Sequence, residues 1–172
     1  MTDEAQVVVV SDTNVLVNLM HVSRLDFCGR LLSHRFVVPE EVVEEILVPE
    51  QKTALQQAIK TDSIGLEPVT TVEALALFGA LRERFGRGES AALALAATRR
   101  WLLACDEKRR FLKIAEEHLG VETVLRTEHV FELAIKAGLL TVEEADADKA
   151  TLETHRYKMS FDSFRNFLKV VA

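Results

Sequence analysis

Residues 7–20 read VVVVSDTNVLVNLM. A run of β-branched valines suits a strand buried on both faces, the situation of a central strand in a parallel sheet. The run ends in Ser11, Asp12, Thr13 and Asn14, and apolar residues return from Val15 to Met20 at a helical spacing. A strand over about residues 6–10 and a helix from Thr13 place Asp12 at a strand-to-helix junction. There the acid can serve as a helix N-cap, for which Asp is well suited, or as a group presented at the edge of a sheet.

Working outward, the alternation repeats. An apolar-periodic segment runs from Val22 to Leu32, Arg35 to Val38 reads as a second strand, and Pro39 stands where proline starts a helix. The stretch PEEVVEEIL continues that helix until Pro49, after which a polar helix reaches about Lys60. SIGLEPV is a faint third strand and residues 72–85 are helical. GRGES interrupts, and Glu89 opens the small-residue helix SAALALAATRR. WLLAC is the fourth strand, ending at Asp106, followed by a helix over Glu107–Leu119 and a last strand in VETVL. Helical segments near 128–137, 142–154 and 161–170 close the chain. Strands alternating with helices predict an α/β fold with a mainly parallel central sheet, in which sites form beyond the carboxyl ends of the strands. Asp12 and Asp106 both fall at that edge.

The length, 172 residues, suits one domain with a sizeable core. We expect an α/β core over 1–125 and a C-terminal helical extension over 126–172. The longest uncharged stretches fall well short of the roughly 18 residues of a membrane span. The opening MTDEAQ has no basic region of the kind that starts a signal peptide. Cys28 and Cys105 form no CxxC pair, so a reducing cytoplasm is the expected setting. The net charge of −6 speaks against a protein that coats nucleic acid nonspecifically, yet leaves room for an enzyme whose acids hold metal ions. Cations cluster locally at Arg82, Arg84 and Arg87, at Arg99 and Arg100, and from Lys108 to Lys113, a pattern that solvated helix faces also produce.

Each acid has an ordinary structural reading. Asp12 and Asp106 could cap helices, and Glu89 could suit the positive end of a helix dipole. In PEEVVEEIL, Val42, Val43, Ile46 and Leu47 form the apolar stripe. Glu45 borders it on one side and Glu44 on the other, and periodicity does not choose between them. Taken together the acids are harder to explain as caps. Clustered carboxylates repel one another unless a cation lies among them. Mg²⁺ or Mn²⁺ prefers such oxygen ligands, and its chemistry there is phosphodiester cleavage. No HxxxH, CxxC, P-loop or GxGxxG pattern competes.

Four pieces, VVVVSDTNVLVNL, VVPEEVVEEIL, GRGESAALALA and LLACDEKRRFLKIAEEHLG, make the chain resemble the PIN-domain superfamily of metal-dependent nucleases. The branch it looks like is the PIN-like group known as DUF3368, which has Gly-Glu in the third piece and a helical tail. TEHVFELAIKAGLL and YKMSFDSFRNFL resemble the first and last helices of that tail. The resemblance implies a three-layer α/β/α sandwich and a cytoplasmic, metal-dependent endoribonuclease related to toxin-type PIN proteins. It implies Asp12, Glu45, Glu89 and Asp106 as catalytic and metal-holding acids, with Mg²⁺ or Mn²⁺. Glu45 is preferred to Glu44 because the family spaces Pro, Val and Glu as Pro39, Val42 and Glu45. Asn14, Ser90 and Glu107 are the auxiliary polar groups. Arg87, Arg109 and Arg110 are the expected nucleic-acid contacts, although the register of the family's arginine after the last acid is ambiguous among Arg109, Arg110 and Phe111. Implied partners are single-stranded RNA, a second copy of the chain and a small antitoxin-like protein. The tail departs from the family in carrying Arg126 where Gly is usual, and Glu89 is one methylene longer than the Asp of toxin-type relatives.

Two other strand-Asp folds fit poorly. A HAD-type phosphatase needs a second Asp where Asn14 stands, and a response-regulator receiver needs an acid pair that Ser11-Asp12 does not supply. The rival from another class is a PIN-fold module that binds without cleaving.

Overall fold

The computed structural model describes residues 5–171; Met1–Glu4, most of the acidic opening, and Ala172 lie outside the described residues. In chain order the elements are β1 (Val7–Ser11), α1 (Thr13–His21), α2 (Phe27–Arg30), β2 (His34–Val38), α3 (Glu40–Glu45), α4 (Pro49–Lys60), β3 (Gly65–Leu66) and α5 (Val72–Arg82). There follow α6 (Arg87–Arg99), β4 (Leu102–Ala104), α7 (Arg109–Leu119), a single 3₁₀ turn, β5 (Val124–Leu125), α8 (Thr127–Lys136), α9 (Val142–Thr154) and α10 (Phe164–Val171).

The strands form one five-stranded, all-parallel sheet in the order β3-β2-β1-β4-β5. The valine run is its centre: Val9 pairs with Phe36 on one side and with Leu102 on the other. Successive side chains of a strand face opposite ways. Val9 accordingly packs into a core with Leu16, Phe27, Phe36, Phe131 and Phe164, and Val10 into a second core with Leu93, Leu103 and Phe111. Helices α1–α4 and α8–α10 supply the first core and α5–α7 the second, which makes the three-layer α/β/α sandwich. The C-terminal helices bury Val130, Phe131, Ala134, Leu152 and Phe164, so they complete one layer rather than hang from it.

Three local readings change. The predicted helix through Leu47 ends at Glu45, and Leu47 is 81% exposed instead of joining the core stripe. The cause is Pro49 in the first turn of α4, since proline disfavours helical backbone in the residue before it and forces a break between the two helices. Between Val22 and Leu32 only Phe27–Arg30 is helical. Helix α6 starts at Arg87, two residues before Glu89, with Gly86 as its N-cap.

Strand β1 has β2 on one side and β4 on the other, so the chain reverses its direction of travel across the sheet between these neighbours. A crevice opens at such a point beyond the carboxyl ends of the strands. The Asp12 N–H donates to the Ala104 carbonyl at 2.9 Å and fastens the start of α1 beside the end of β4.

Candidate metal centre

Beyond those strand ends lies a cavity of about 380 Å³, lined by Asp12, Thr13, Asn14, Glu45, Gly86, Glu89 and Glu107. Asp12 is delivered by β1 and is only 2% exposed. Its Oδ1 accepts the Val15 N–H at 3.1 Å, so it does cap α1. Its Oδ2 is buried and has no hydrogen-bond partner among the described residues. Burial pushes the Asp12 carboxyl well above the usual carboxylate range, and the charges of Asp106 and Glu107 push the same way against the opposing hydrogen bonds from the Val15 N–H and, more weakly, the Cys105 thiol. A buried acceptor without a partner is costly.

Glu45 reaches in from the last residue of α3. Its Oε2 accepts the Thr13 hydroxyl at 2.6 Å and its Oε1 accepts the Gly88 N–H at 2.7 Å. It thus ties α1, α3 and α6 together. Gly88 permits this approach: a Cβ there would collide with the Glu45 carboxylate. Glu44 instead faces Arg87, with Arg87 Nη1 at 2.5 Å from its Oε2. Glu89 is the third residue of α6, and its Oε1 accepts the Gly86 N–H at 2.6 Å.

The two acids after β4 part company. Glu107 lines the cavity, where Asn14 Nδ2 donates to its Oε1 at 2.6 Å. Its carboxyl is raised to about 7, first by burial and then by the neighbouring charges of Glu89, Asp106 and Glu45. Asp106 is not among the lining residues; both its oxygens are taken up by Asn18, Thr127 and Tyr157. Ser90 is fully buried beneath the site, and its Oγ has no partner among the described residues.

Asp106 and Glu107 also form one wall of a neighbouring cleft of about 720 Å³, whose other walls include Lys108, Arg109, Lys113 and Arg126. Arg109 is therefore in this cleft, Arg87 is in the ion pair with Glu44, and Arg110 lies over the Phe85 ring.

Residues 8–160 match the DUF3368 family, described as a PIN domain. The chain belongs to this PIN-domain family. No curated protein and no solved structure matches it.

PIN domains generally hold Mg²⁺ or Mn²⁺, and the donor set here suits such hard cations: carboxylates only, with no histidine or thiol lining the cavity. The unpartnered Asp12 Oδ2 is the atom that most needs a positive neighbour. Among the described residues no three acids stand close enough to enclose an ion. Glu45, Glu89 and Glu107 each accept from a separate donor, Gly88, Gly86 and Asn14.

The signals for this PIN-domain site were uneven. Thr13 sits in the Asp-Thr-Asn opening, yet its use as a donor to Glu45 needs the position of α3. Gly88 is visible in GRGES only as a loop breaker, and its close approach to Glu45 appears only once α3 and α6 are packed.

Proposed function

We propose that this PIN domain is a metal-dependent endoribonuclease acting on single-stranded RNA, with Asp12, Glu45 and Glu89 holding Mg²⁺ or Mn²⁺ beside a fourth acid from the β4–α7 junction. The observation that carries this reading is the buried, unpartnered oxygen of Asp12 in the wall of a cavity lined by further carboxylates. A divalent ion bound there supplies Lewis acidity toward a water and a phosphate oxygen.

The chain's own groups do the rest. Asp12 is fixed by the rigid strand beneath it and by the Val15 cap. Asn14 steadies the Glu107 carboxylate. One P–O bond of the RNA backbone breaks while one forms to the water oxygen; the water's proton passes to a carboxylate of the site or to solvent, and the leaving ribose oxygen takes up a proton from solvent to become a hydroxyl. The adjoining cleft, with Lys108, Arg109, Lys113 and Arg126, offers cations to the neighbouring phosphates of the strand. This local positive charge lets an acidic chain bind a polyanion.

One observation favours a module that binds without cleaving: Glu45 is already satisfied by Thr13 and Gly88. The test is incubation of the pure protein with labelled single-stranded RNA in Mn²⁺, in EDTA, and with Glu89→Gln. Cleavage confined to wild type in Mn²⁺ supports the nuclease. Binding without cleavage in every arm favours the module. The same reading carries a homodimer and a small inhibitory partner; a monomer by light scattering across a wide concentration range would reject the dimer.

A further inference from the structure

We infer that the two consecutive acids after β4 have separate roles: Glu107 is the fourth carboxylate of the cation cavity, and Asp106 is the clasp that fastens the C-terminal helices to the core. The first half rests on the metal-centre reading above; the second stands without it.

Asp106 is encircled by protein donors. Its Oδ1 accepts the Thr127 N–H at 2.9 Å and lies 2.8 Å from the Tyr157 hydroxyl. Its Oδ2 accepts from Asn18 Nδ2 at 2.9 Å and from Thr127 Oγ1 at 2.5 Å. A carboxylate has about four acceptor positions, and here every one faces a donor. Those donors come from three places: Asn18 on α1, Thr127 at the first residue of α8, and Tyr157 just after α9. The Tyr157 hydroxyl also lies 2.5 Å from Glu128 Oε2, and its single proton serves one of the two acids at a time. Thr127 is fully buried and Asn18 is 8% exposed. Turning Asp106 toward a cation would strand these donors away from water, and a buried donor left unpaired is costly.

Glu107 is placed the other way. It has one side-chain donor, Asn14, and it shares the cavity with Asp12, Glu45 and Glu89. Asn14 belongs to α1 and stands one turn from Asn18, which holds Asp106. The same helix therefore steers the two neighbouring acids in different directions.

The experiment is calorimetric titration of the full chain with Mn²⁺ together with thermal melting in EDTA, for wild type, Glu107→Gln, Asp106→Asn and Tyr157→Phe. Glu107→Gln is expected to lose at least about tenfold in Mn²⁺ affinity and to melt no lower than wild type. Asp106→Asn is expected to keep its Mn²⁺ affinity to within about threefold and to melt several degrees lower. Tyr157→Phe keeps both acids and should also melt lower, with the double variant falling by less than the sum of the two, because both changes open one clasp. If Asp106→Asn does not fold, Tyr157→Phe reads the clasp alone. Wild-type Mn²⁺ affinity in Glu107→Gln, or lost affinity at an unchanged melt in Asp106→Asn, would overturn the assignment. A wild type that takes up no Mn²⁺ removes the cation reading and the role of Glu107 with it, while the melts still decide the clasp.

Discussion

Replacing Asp12 by Asn separates the two duties of that side chain. Asn is as good an N-cap as Asp, so the bond to the Val15 N–H survives and α1 keeps its start. The other oxygen becomes a neutral amide nitrogen, so a carboxyl whose charged form is disfavoured by burial and by Asp106 and Glu107 disappears. Keeping a buried carboxyl at neutral pH, whether by ionising it or by protonating it, costs more than burying a neutral amide, by about 1–2 kcal/mol. For a domain of this size each kcal/mol moves the melting temperature by about 2–4 °C. In EDTA at neutral pH the variant should therefore melt about 2–8 °C above wild type. In Mn²⁺ the order should invert. An ion present at a hundred times its dissociation constant stabilises the folded state by about 2.7 kcal/mol, and the variant has lost a charge that the ion needs. The assay is differential scanning calorimetry of both proteins in EDTA and in Mn²⁺. A variant that melts below wild type in EDTA and gains the same increment from Mn²⁺ would refute the reasoning and leave Asp12 a cap only.

The pH dependence follows from the same cluster. Burial and neighbouring carboxylates raise the Glu107 carboxyl in the folded chain from 4.5 to about 7, so the folded state holds that proton more tightly than the unfolded state does. The stability this group contributes is fully present below about pH 4.5 and is lost as pH rises through about 7; Asp12, also raised, acts in the same sense. After allowance for solvent screening, the metal-free protein should be about 1–2 kcal/mol more stable at pH 5 than at pH 8, and saturating Mn²⁺ should reverse that order. Denaturant titrations in EDTA at the two pH values check it, and equal midpoints would argue against a crowded cluster. Gly88→Ala should displace the Glu45 carboxylate from the α6 N–H, with a loss of about 1–3 kcal/mol and weaker Mn²⁺ binding. Wild-type values for both would show that Glu45 has room to move.

The fold was legible where local pattern and tertiary role coincide. The valine run reads as a buried strand because Val9 and Val10 are covered on opposite faces of the sheet, and Asp12 stands just past its end. There one oxygen of Asp12 caps α1, and the other is left without a partner among the described residues. Less legible was the end of α3, where the apolar stripe suggested Leu47 and the constraint of Pro49 won. Periodicity left Glu44 and Glu45 open and the family resemblance preferred Glu45; the structure puts Glu45 in the cavity wall and Glu44 against Arg87. That Glu107 lines the cavity and Asp106 does not was beyond local pattern. It depends on Thr127 and Tyr157, which lie 21 and 51 residues farther along the chain. No periodicity reports a hydrogen bond of that span.

The central claim is that the cavity between Asp12, Glu45, Glu89 and Glu107 takes a divalent cation. Crystals of the full chain soaked in Mn²⁺ and measured at the manganese edge test it most directly. The account predicts an anomalous peak within bonding distance of Asp12 Oδ2, with the Glu45, Glu89 and Glu107 carboxylates drawn inward and Asp106 still held by Thr127 and Tyr157. A well-ordered soaked crystal with no peak in the cavity, or with its peak on Asp106 and the Thr127 bonds broken, would contradict it.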